Sequence, residues 1–476
     1  MMGFLMSGIM TFFHHGFRYL ARTLLFLLFC MANSSFAAEK NFQFKCEGLE
    51  EKGERSDFRV KMYQGYDGWF FRKSDLESVY EQPDYVLDAL SNINKALNFK
   101  GIHLILVPMI PRGLVGKDFV PNDGVLSDMI FDANLSARQF DELIETLRGN
   151  GIDVVNVNDV IDQAKGFPRE NFAFKRDVHW RPEGAELVAN AVAERILTVS
   201  GEGIGNVLYE TTSKGVDRIS KSGFHLALNE ICDSAVQSES LEYYETKQVL
   251  SGLDDLDAII DDDGDADEYV HVVGSSFTDE LNPFHFNDFL RARLQRNLSG
   301  FSVSGGGVHQ SIYSWARNVN GIGKRPKFVV WELPNVYQLQ KYGMFMNSTI
   351  VPSIVGDCEG DYVLLSRKLS GGSEYRLEFS GGLEGENSNY IRASISEGEN
   401  HPLNLVYEFG DGSEEIFNIE TPPRVSGFGL FYHSFPSDRG KPVAVRMSLS
   451  NDKIFDGDVK ICRYPGMGFK FAAASN

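Results

Sequence analysis

The sequence predicts an α/β domain with a largely parallel sheet, followed by an all-β sandwich. Up to about residue 345, apolar runs typical of buried strands alternate with segments of helical periodicity, as in a parallel sheet covered by helices. From about residue 352 the helical periodicity disappears, and short alternating segments are separated by turns rich in Gly, Asn, Ser and Asp. A chain of 476 residues is also too long for one ordinary domain, so we predict two, at 40–347 and 352–476.

The α/β domain begins with an aromatic hairpin. Residues 63–71 contain the turn Asp67-Gly68 followed by three aromatic residues, which predicts strand, turn and strand. The apolar residues of segment 83–99 recur at helical spacing. The continuous apolar run that follows, over 102–107, is typical of a buried parallel strand.

Helices and strands continue to alternate through the rest of this domain. A helix with Ser136 as its N-cap is predicted to reach residue 150, and Asn158 is predicted to cap a shorter one. Pro182 suits the first turn of a helix that reaches Val199. The remaining predictions are a strand over 152–156, a strand over 269–273, a helix over 277–298 and a strand over 328–332.

The second domain is predicted from its alternating segments. Residues 375–379, 403–409 and 443–447 alternate apolar and polar side chains, as strands with one buried face do. Turn residues separate these segments. The pattern favours an antiparallel β-sandwich of about 120 residues.

The composition limits the possible functions. Hydrophobic residues make up 43% of the chain, so it can build sizeable cores. The formal net charge is −20, which gives the chain no global electrostatic reason to bind nucleic acid. An anionic substrate would therefore have to bind at a local basic patch.

The N-terminus has the pattern of a secretory signal peptide. Two arginines precede an apolar run over 24–29, and the small residues Ser35 and Ala37 fit cleavage after residue 37. An uncleaved membrane anchor is the alternative, but the run is short for a span of about 20 residues. We therefore predict a signal peptide over 1–37 and a periplasmic protein.

Four cysteines lie outside the signal peptide: Cys46, Cys232, Cys358 and Cys462. An even number in an exported chain indicates two disulfides, for which three pairings are possible. Pairing within each domain, Cys46 with Cys232 and Cys358 with Cys462, is the simplest. Metal ligation is the weaker alternative, because no two of these cysteines are close in sequence.

A serine follows the strand predicted over 269–273. Gly274 permits a tight turn there, and a helix N-terminus directly behind it would offer free N–H groups to a developing oxyanion. Ser275 and Ser276 are both candidate nucleophiles, and the Gly-x-Ser spacing favours Ser276. A plain loop between strand and helix is the alternative for so short a motif.

An aspartate and a histidine stand two residues apart just before the helix predicted from Pro182. In an extended loop, side chains two residues apart point the same way, so Asp177 and His179 can reach one site. His179 is the candidate general base, and Asp177 would fix its tautomer and stabilise the imidazolium. A helix-capping aspartate and a packed histidine are the alternatives. The presence of both motifs at strand ends of one sheet favours a catalytic set of serine, histidine and aspartate.

Three motifs together resemble a known enzyme family. They are Asp177-x-His-Trp-x-Pro-x-Gly-Ala, Gly274-x-Ser-Phe-Thr, and the segment 65–76 with Gly-Tyr-Asp-Gly-Trp-Phe-Phe and Ser-Asp-Leu. With these motifs the chain resembles the AlgX/AlgJ family of SGNH-hydrolase-like enzymes, which acetylate exopolysaccharides such as alginate. The resemblance covers nearly the whole mature chain. It includes the motif order, since Asp177 and His179 precede the serine here as in that family.

The resemblance implies an SGNH-hydrolase-like acetyltransferase domain followed by a carbohydrate-binding module, with Asp177, His179 and Ser276 as the triad. Ser276 would accept an acetyl group, and a mannuronate hydroxyl of alginate or of a similar anionic polysaccharide would then attack it. Besides the Ser276 N–H, Gly306 and Asn335 are candidate oxyanion donors. The implied partners are this polysaccharide and proteins of a periplasmic and outer-membrane export complex, and no cofactor is implied.

Alginate carries a carboxylate on each sugar, so basic and aromatic residues are expected to line its groove. In the sandwich, the candidates are Arg392, Arg424, Tyr390, Tyr432 and Lys441. Most surface Arg and Lys side chains are merely solvated, and the residues from 352 onward carry a net negative charge. Strong binding of a polyanion therefore requires that the basic residues cluster.

Two other functions fit the same features. A polysaccharide acetylesterase would use the same triad and differ only in that water reaches the acyl-enzyme. A non-catalytic polysaccharide-binding scaffold of the export complex would have a vestigial site, and the complete triad argues against that. The acidic run over 261–268 lacks the spacing of an EF-hand, so a solvated loop and no metal site are predicted.

Overall fold

The computed structural model describes residues 45–55, 60–219, 222–233, 235–249, 269–319, 325–379, 389–396, 401–419, 429–436, 440–450, 455–466 and 468–470. The predicted signal peptide (1–37), the acidic run (261–268) and Arg424 lie outside these residues. Within the described ranges, no helix is both long and apolar enough to cross a membrane.

The centre of the α/β part is a five-stranded parallel sheet. The described strands of the α/β part, only some of which belong to this sheet, are in chain order β1 (Met62–Gln64), β2 (Phe70–Arg72), β3 (His103–Pro108), β4 (Asp153–Val154), β5 (Tyr209–Ile219), β6 (Glu239–Gln248), β7 (Val270–Val273), β8 (Leu298–Gly300) and β9 (Phe328–Leu333). The sheet has the order β4-β3-β9-β7-β8, and every pairing in it is parallel. The pair β1–β2 is a separate antiparallel hairpin, and β5 and β6 form a separate two-stranded antiparallel sheet whose strands are connected through the segment 220–238. The predicted parallel sheet and aromatic hairpin are confirmed.

Helices cover this sheet. The described α-helices are α1 (Leu49–Arg55), α2 (Asp84–Phe99), α3 (Arg112–Val115), α4 (Ala133–Gly149), α5 (Val157–Gln163), α6 (Pro182–Ser200), α7 (Gly223–Ile231), α8 (Phe286–Leu294), α9 (Gln310–Val319), α10 (Leu339–Phe345) and α11 (Val351–Val355). The predicted apolar stripe of α6 is buried, with Val188, Val192 and Ile196 at 0% exposure. Strands β3, β7 and β9 are almost entirely buried, as expected for central strands with both faces covered.

The segment after β7 differs from the prediction. The sequence predicts a helix over 277–298, but the helix spans only Phe286–Leu294, and the residues before it form turns. The Asn282 side chain donates a hydrogen bond to the Ser276 carbonyl at 2.9 Å, and Pro283 disfavours a helical conformation at Asn282. The prediction of a helix N-terminus directly behind Ser276 is therefore wrong.

Two helix starts also differ from the predicted positions. The carboxylate of Asp132, not the hydroxyl of Ser136, accepts the first N–H groups of α4. Ser136 is instead buried, and its hydroxyl lies 2.9 Å from that of Tyr80. Helix α5 is capped by Asn156 rather than Asn158. In both cases a polar residue two to four positions earlier is the cap, because tertiary packing decides which candidate is free for that role.

The C-terminal part is a β-sandwich, as predicted. Its described strands are β10 (Val363–Gly372), β11 (Glu374–Glu378), β12 (Asn389–Ile395), β13 (Leu403–Phe409), β14 (Glu414–Ile419), β15 (Leu430–Ser434), β16 (Pro442–Leu449) and β17 (Phe455–Arg463). They form two antiparallel sheets with the orders β10-β17-β12-β15 and β11-β16-β13-β14. Ile391, Leu405, Val445 and Ile461 are among the buried residues between them.

Both parts of the chain belong to one compact unit over Cys46–Asn476. Disulfides join Cys46 to Cys232 and Cys358 to Cys462, which is the pairing predicted as the simplest. The last described residues also pack on the α/β part, since Asn92 of α2 exchanges two hydrogen bonds with the backbone of Lys470.

Candidate active site

The side chains of Asp177, His179 and Ser276 form one hydrogen-bonded line beside the carboxyl end of β7. His179 Nε2 lies 2.7 Å from Ser276 Oγ. On the other side of the ring, His179 Nδ1 is hydrogen-bonded to Asp177 Oδ1, and the same oxygen accepts the His179 N–H at 2.9 Å. The structure therefore brings the predicted base, orienting acid and nucleophile into contact in the order that acyl transfer through serine requires.

The loop that presents His179 is held by backbone pairing and by aromatic packing. The His179 carbonyl accepts the Phe174 N–H at 3.2 Å, which closes the loop over Asp177. The imidazole packs between Phe277 and Phe284, with ring centroids 4.8 Å and 4.6 Å away. The neighbouring Trp180 indole donates a hydrogen bond to the Phe277 carbonyl at 3.0 Å. These contacts connect the loop of the base to the turn of the nucleophile.

Asp177 is the charged end of the line. Its side chain is 2% exposed. Burial by itself would raise the pKa of this carboxyl, but the adjacent His179 imidazole and its hydrogen bonds outweigh burial and hold the pKa well below the usual range. The carboxyl is therefore ionised at neutral pH and can stabilise the imidazolium that forms when His179 takes a proton.

Two charged side chains from distant parts of the sequence hold the backbone that leads into Asp177. The buried Arg112 guanidinium donates to the Phe174 carbonyl at 2.7 Å and to the Lys175 carbonyl at 3.2 Å. The Glu239 carboxylate accepts the Lys175 N–H at 3.1 Å and the Arg176 N–H at 2.7 Å. The same short segment is thus bonded through its carbonyls to a cation and through its amides to an anion, which fixes the position of Asp177.

Ser275, the rival nucleophile, is buried and turned away from His179. Its hydroxyl donates to Glu332 Oε2 at 2.8 Å, and its N–H donates to the same oxygen at 2.7 Å. Ser276 is half-buried, lines a pocket and is bonded to His179. The geometry therefore favours Ser276 as the nucleophile, as the Gly-x-Ser spacing predicts.

Glu332 is a buried carboxyl of the central strand β9, and its titration gives a testable pH dependence. Burial raises its pKa to about 7 from an ordinary value of 4.5, against the opposing effect of the Ser275 hydrogen bonds. The folded protein thus keeps a proton there that the unfolded chain has lost, so its stability should fall as pH rises from about 4.5 to 7. In the wild type, this titration should lower the unfolding free energy by about 3 kcal/mol over that range. In Glu332→Gln this decrease should be absent.

Urea denaturation of the wild type and of Glu332→Gln at pH 5 and pH 8 measures this difference directly. An equal pH dependence in the two proteins would show that Glu332 does not titrate as its burial requires.

A pocket of about 290 Å³ opens in front of Ser276. Asn335 lines it and is half-buried, and its role as an oxyanion donor stays a prediction. Gly305 and Gly307 line the pocket too, whereas the Gly306 N–H already donates to the Val303 carbonyl at 2.9 Å. The prediction of Gly306 as an oxyanion donor is therefore wrong.

The comparison with protein families agrees with this geometry. Residues 62–335, more than half of the chain, match the family described as ALGX, an SGNH hydrolase-like domain of the acetyltransferase AlgX. The chain belongs to the ALGX family. The matched segment includes both hydrogen-bonded loops of the site and the hairpin β1–β2.

Individual relatives give the same assignment. The alginate biosynthesis protein AlgX of Pseudomonas aeruginosa is 26% identical over 388 residues, which are 80% of this chain and 78% of the relative. The protein of the same description from Azotobacter vinelandii is 24% identical and covers 78% of this chain and 76% of its own length. The solved structure of P. aeruginosa AlgX has the same fold, with a TM-score of 0.70, 23% identity, and coverage of 86% of this chain and 96% of that one.

The sandwich residues proposed from the sequence to bind sugar do not form a groove. Tyr390 and Tyr432 are 1% and 2% exposed, and the Tyr390 hydroxyl donates to the Gly356 carbonyl at 2.9 Å. These two rings lie on the face of β12 and β15 that packs against the α/β part, so they cannot stack on a sugar, and this prediction is wrong.

The basic candidates are placed differently. Arg392 is paired with Asp458 and lies 3.8 Å from Asp357, with its side chain 13% exposed. Lys441 is exposed before β16. Arg424 lies outside the described residues. The sugar-binding role of the sandwich stays a prediction.

Three charged residues that support the ALGX site were not predicted: Arg112, Glu239 and Glu332. Arg112 and Glu332 each carry a sequence signal. Arg112 lies four residues after the end of β3, and Glu332 lies in the carboxyl-terminal part of β9, at the edge where the parallel strands end. A charge at the end of such a strand is more often functional or paired than exposed. Glu239 is the first residue of β6, a strand that no pattern in the sequence predicts.

Proposed function

We propose that this ALGX-family chain is an O-acetyltransferase that acetylates hydroxyls of alginate, or of a similar uronic-acid polysaccharide, in the periplasm. The observation on which the proposal depends is the hydrogen-bonded line from Asp177 through His179 to Ser276. The ALGX family description names an acetyltransferase, and the relatives are described as alginate biosynthesis proteins. Partners in an export complex stay a prediction of the sequence.

The proposed reaction has two acyl-transfer steps. His179 Nε2 takes the Ser276 proton while Ser276 Oγ attacks the carbonyl carbon of an acetyl ester. The donor alcohol leaves with that proton, and an acetyl-serine remains. A sugar hydroxyl then attacks the acetyl group, His179 takes the hydroxyl proton, and Ser276 leaves and recovers a proton from His179. The products are an acetylated sugar and the free enzyme.

Each tetrahedral intermediate carries an oxyanion that needs donors. In the part of the chain that the structure describes, the Ser276 N–H donates to no protein acceptor, whereas the amides of Ser275, Phe277 and Thr278 are all bonded within or beside the turn. The Ser276 N–H is therefore available to the oxyanion, and Asn335 across the pocket is the proposed second donor.

The charge of the pocket supports an anionic acceptor. The charged residues among its lining are Arg72, Arg112 and Asp75, that is, two cations and one anion in a chain whose net charge is −20. Burial would raise the pKa of the Asp75 carboxyl, but the two guanidinium groups outweigh burial and keep it low. The pocket wall therefore carries a local positive excess beside the nucleophile, which suits the carboxylate of a uronic acid.

Acetyl transfer from an aryl acetate to oligomannuronate, followed by mass spectrometry of the sugar, tests the proposed function. We expect acetylated oligomannuronate, and little transfer to a neutral mannan oligosaccharide of the same length. Release of acetate without acetylated sugar would favour the acetylesterase instead. Binding of oligomannuronate with no acetyl chemistry would favour the scaffold.

Arg72 provides a test of the acceptor charge. Its guanidinium donates to Asp75 Oδ1 at 2.7 Å and is 21% exposed at the pocket wall. Arg72→Gln should raise the KM for oligomannuronate by about tenfold, because a hydrogen bond to a charged group is worth roughly 1.5 kcal/mol or more. Cleavage of the uncharged aryl acetate should be nearly unchanged.

Lys73→Gln is the matched control, since Lys73 is a neighbouring cation that pairs with Asp128 and is 47% exposed outside the pocket lining. An equal rise in KM for both variants would show a general effect of charge and would remove the proposed role of Arg72.

A further inference from the structure

We propose that Glu332 is the positioning residue of the nucleophile turn: by binding both donors of Ser275, it fixes the orientation of Ser276 toward His179. This inference rests on the proposed function of Ser276 as a nucleophile. Glu332 touches neither the triad nor the oxyanion position in the described structure. It acts on the reaction through its neighbour in the turn.

The first support is the pair of hydrogen bonds that one carboxyl oxygen accepts. Glu332 Oε2 accepts the Ser275 N–H at 2.7 Å and the Ser275 hydroxyl at 2.8 Å. One bond restrains the backbone of Ser275 and the other restrains its side chain. Ser275 precedes Ser276 in the chain, so a fixed Ser275 backbone also restricts the backbone angles of Ser276. These angles set the direction in which the Ser276 side chain points.

Ser275 in turn organises the other amides of the turn. Its hydroxyl accepts the Phe277 N–H at 3.4 Å, and its carbonyl accepts the Thr278 N–H at 3.2 Å. The hydroxyl can make both bonds because it donates its proton to Glu332 and keeps its lone pairs for Phe277. Loss of the Glu332 carboxyl would free the Ser275 proton to compete for other acceptors and would loosen the whole turn.

The second support is the close packing of the turn on this carboxyl. A Cβ atom on Gly274 would lie 2.8 Å from Glu332 Oε2 and 2.1 Å from Thr278 Oγ1. The glycine is therefore required for the backbone to approach the carboxyl this closely. Glu332 extends from β9, whose residue Trp331 pairs with Val273 at the end of β7, so the contact is built between two adjacent buried strands.

The third support is that Glu332 is an ionisable group kept in the core at an unfavourable cost. It is 1% exposed, and its second oxygen, Oε1, has no hydrogen-bond partner among the described residues. A glutamine or an apolar residue would avoid the cost of burying a carboxyl. The position of the carboxyl directly under the nucleophile turn gives it a use, because Oε2 can accept both Ser275 donors whether or not the other oxygen carries a proton.

The test compares the rate at which a fluorophosphonate labels Ser276 in the wild type, Glu332→Ala, Glu332→Gln, Ser275→Ala and the double variant Glu332→Ala/Ser275→Ala. Labelling needs an oriented, activated serine and no polysaccharide, so it is independent of the acceptor. Thermal melting of each variant reports its folded fraction, and rates are compared per folded molecule.

We expect Glu332→Ala to slow labelling by about 100-fold, the scale on which a displacement of a catalytic group of about 1 Å acts. Glu332→Gln keeps an acceptor oxygen and should recover most of this loss. Ser275→Ala should slow labelling by about tenfold. The double variant should lose clearly less than the product of the two single losses, because both changes remove the same hydrogen bond.

Asp153→Asn is the matched control. Asp153 is a half-buried carboxylate of β4, which β3 and β9 separate from β7 in the same sheet. It is bonded to His103 and Arg195, and its replacement should leave labelling unchanged.

Three results would overturn the inference. The first is a labelling rate of folded Glu332→Ala equal to that of the wild type. The second is a loss of rate in the double variant equal to the product of the two single losses. The third is a labelling rate of Glu332→Gln as low as that of Glu332→Ala. If Glu332→Ala does not fold, wild-type labelling of Ser275→Ala overturns the inference by itself. A wild type that is labelled at Ser276 but does not acetylate oligomannuronate would contradict the proposed function and leave the role of Glu332 standing. A wild type that is not labelled would contradict both.

Discussion

Replacing Ser276 by alanine is expected to lower acetyl transfer by about 10⁴-fold or more, the scale found when the nucleophile of a serine triad is removed. The reason is local. Ser276 Oγ is the atom 2.7 Å from His179 Nε2, and the neighbouring Ser275 hydroxyl is committed to Glu332 and cannot replace it. Stability should be almost unchanged, because Ser276 is half-buried and alanine fits the same space.

The measurement is the steady-state rate of aryl acetate cleavage and of acetyl transfer to oligomannuronate, with Ser413→Ala as the control. The Ser413 hydroxyl is bonded to Asp411 in a turn of the sandwich, so its loss should leave both rates at the wild-type level. If Ser276→Ala kept more than a few per cent of the wild-type rate, another group would have to be the nucleophile.

Replacing Arg112 by methionine is expected to lower the free energy of unfolding by about 3–5 kcal/mol, the usual cost of breaking a buried ion pair from one side. Arg112 is 5% exposed, and it donates to the carbonyls of Phe70 and Phe174 and to Asp75. Methionine has a similar shape but no donor, so these buried oxygens would lose hydrogen bonds that methionine cannot replace. Asp75 would keep Arg72 as a partner.

The same change should also slow catalysis in the molecules that remain folded. Arg112 binds the carbonyls of the segment just before Asp177, and Glu239 binds its amides. Without Arg112 only the amides are held, so the position of Asp177 relative to His179 is less well fixed. Guanidinium denaturation measures the stability, and the rate per folded molecule measures the second effect.

Arg293→Met is the control for Arg112→Met. Arg293 is 50% exposed, and its ion pair with Glu194 is long at 3.7 Å. Its loss should therefore change the unfolding free energy by no more than about 0.5 kcal/mol. A loss below about 1 kcal/mol in Arg112→Met would mean that the buried cation contributes little to the fold.

The triad was accessible from the sequence because of a general property of parallel sheets. The carboxyl ends of their strands meet at one edge, so residues that follow such strands converge even when they are far apart in the chain. Ser276 lies three residues after β7 and fits this rule. The loop of Asp177 and His179 follows helix α5 rather than a strand, and its signals were the motif itself and the clear helix start at Pro182. Local pattern and global topology agree there, and the prediction of the fold class was confirmed for the same reason.

The residues that hold the triad could not be predicted in the same way. Arg112 binds backbone atoms 62 and 63 positions away, and Glu239 binds amides 63 and 64 positions away. Backbone carbonyls and amides are the same in nearly every residue type, so no sequence motif shows which charged side chain will bind them. The sequence indicates only that a charge stands near the end of an apolar strand, as Glu332 does in the strand over 328–333.

The two largest errors have physical causes of the same kind. The turn after Ser276 contains apolar residues at helical spacing, but the Asn282 side chain binds the Ser276 carbonyl, and Pro283 follows it. In the sandwich, alternation identifies two faces of each strand without showing what covers the outer one. The face of Tyr390 and Tyr432 is covered by the α/β part and is not open to solvent.

The most direct test of the account is intact-protein mass spectrometry after a brief exposure to an aryl acetate, with the modified residue located by peptide mapping. We predict one acetyl group on Ser276 in the wild type, none on that residue in His179→Ala, and its transfer to a sugar hydroxyl when oligomannuronate is added. An acetyl group found elsewhere on the chain, or one that stays on Ser276 when the sugar is added and is lost only to water, would contradict the proposed transferase.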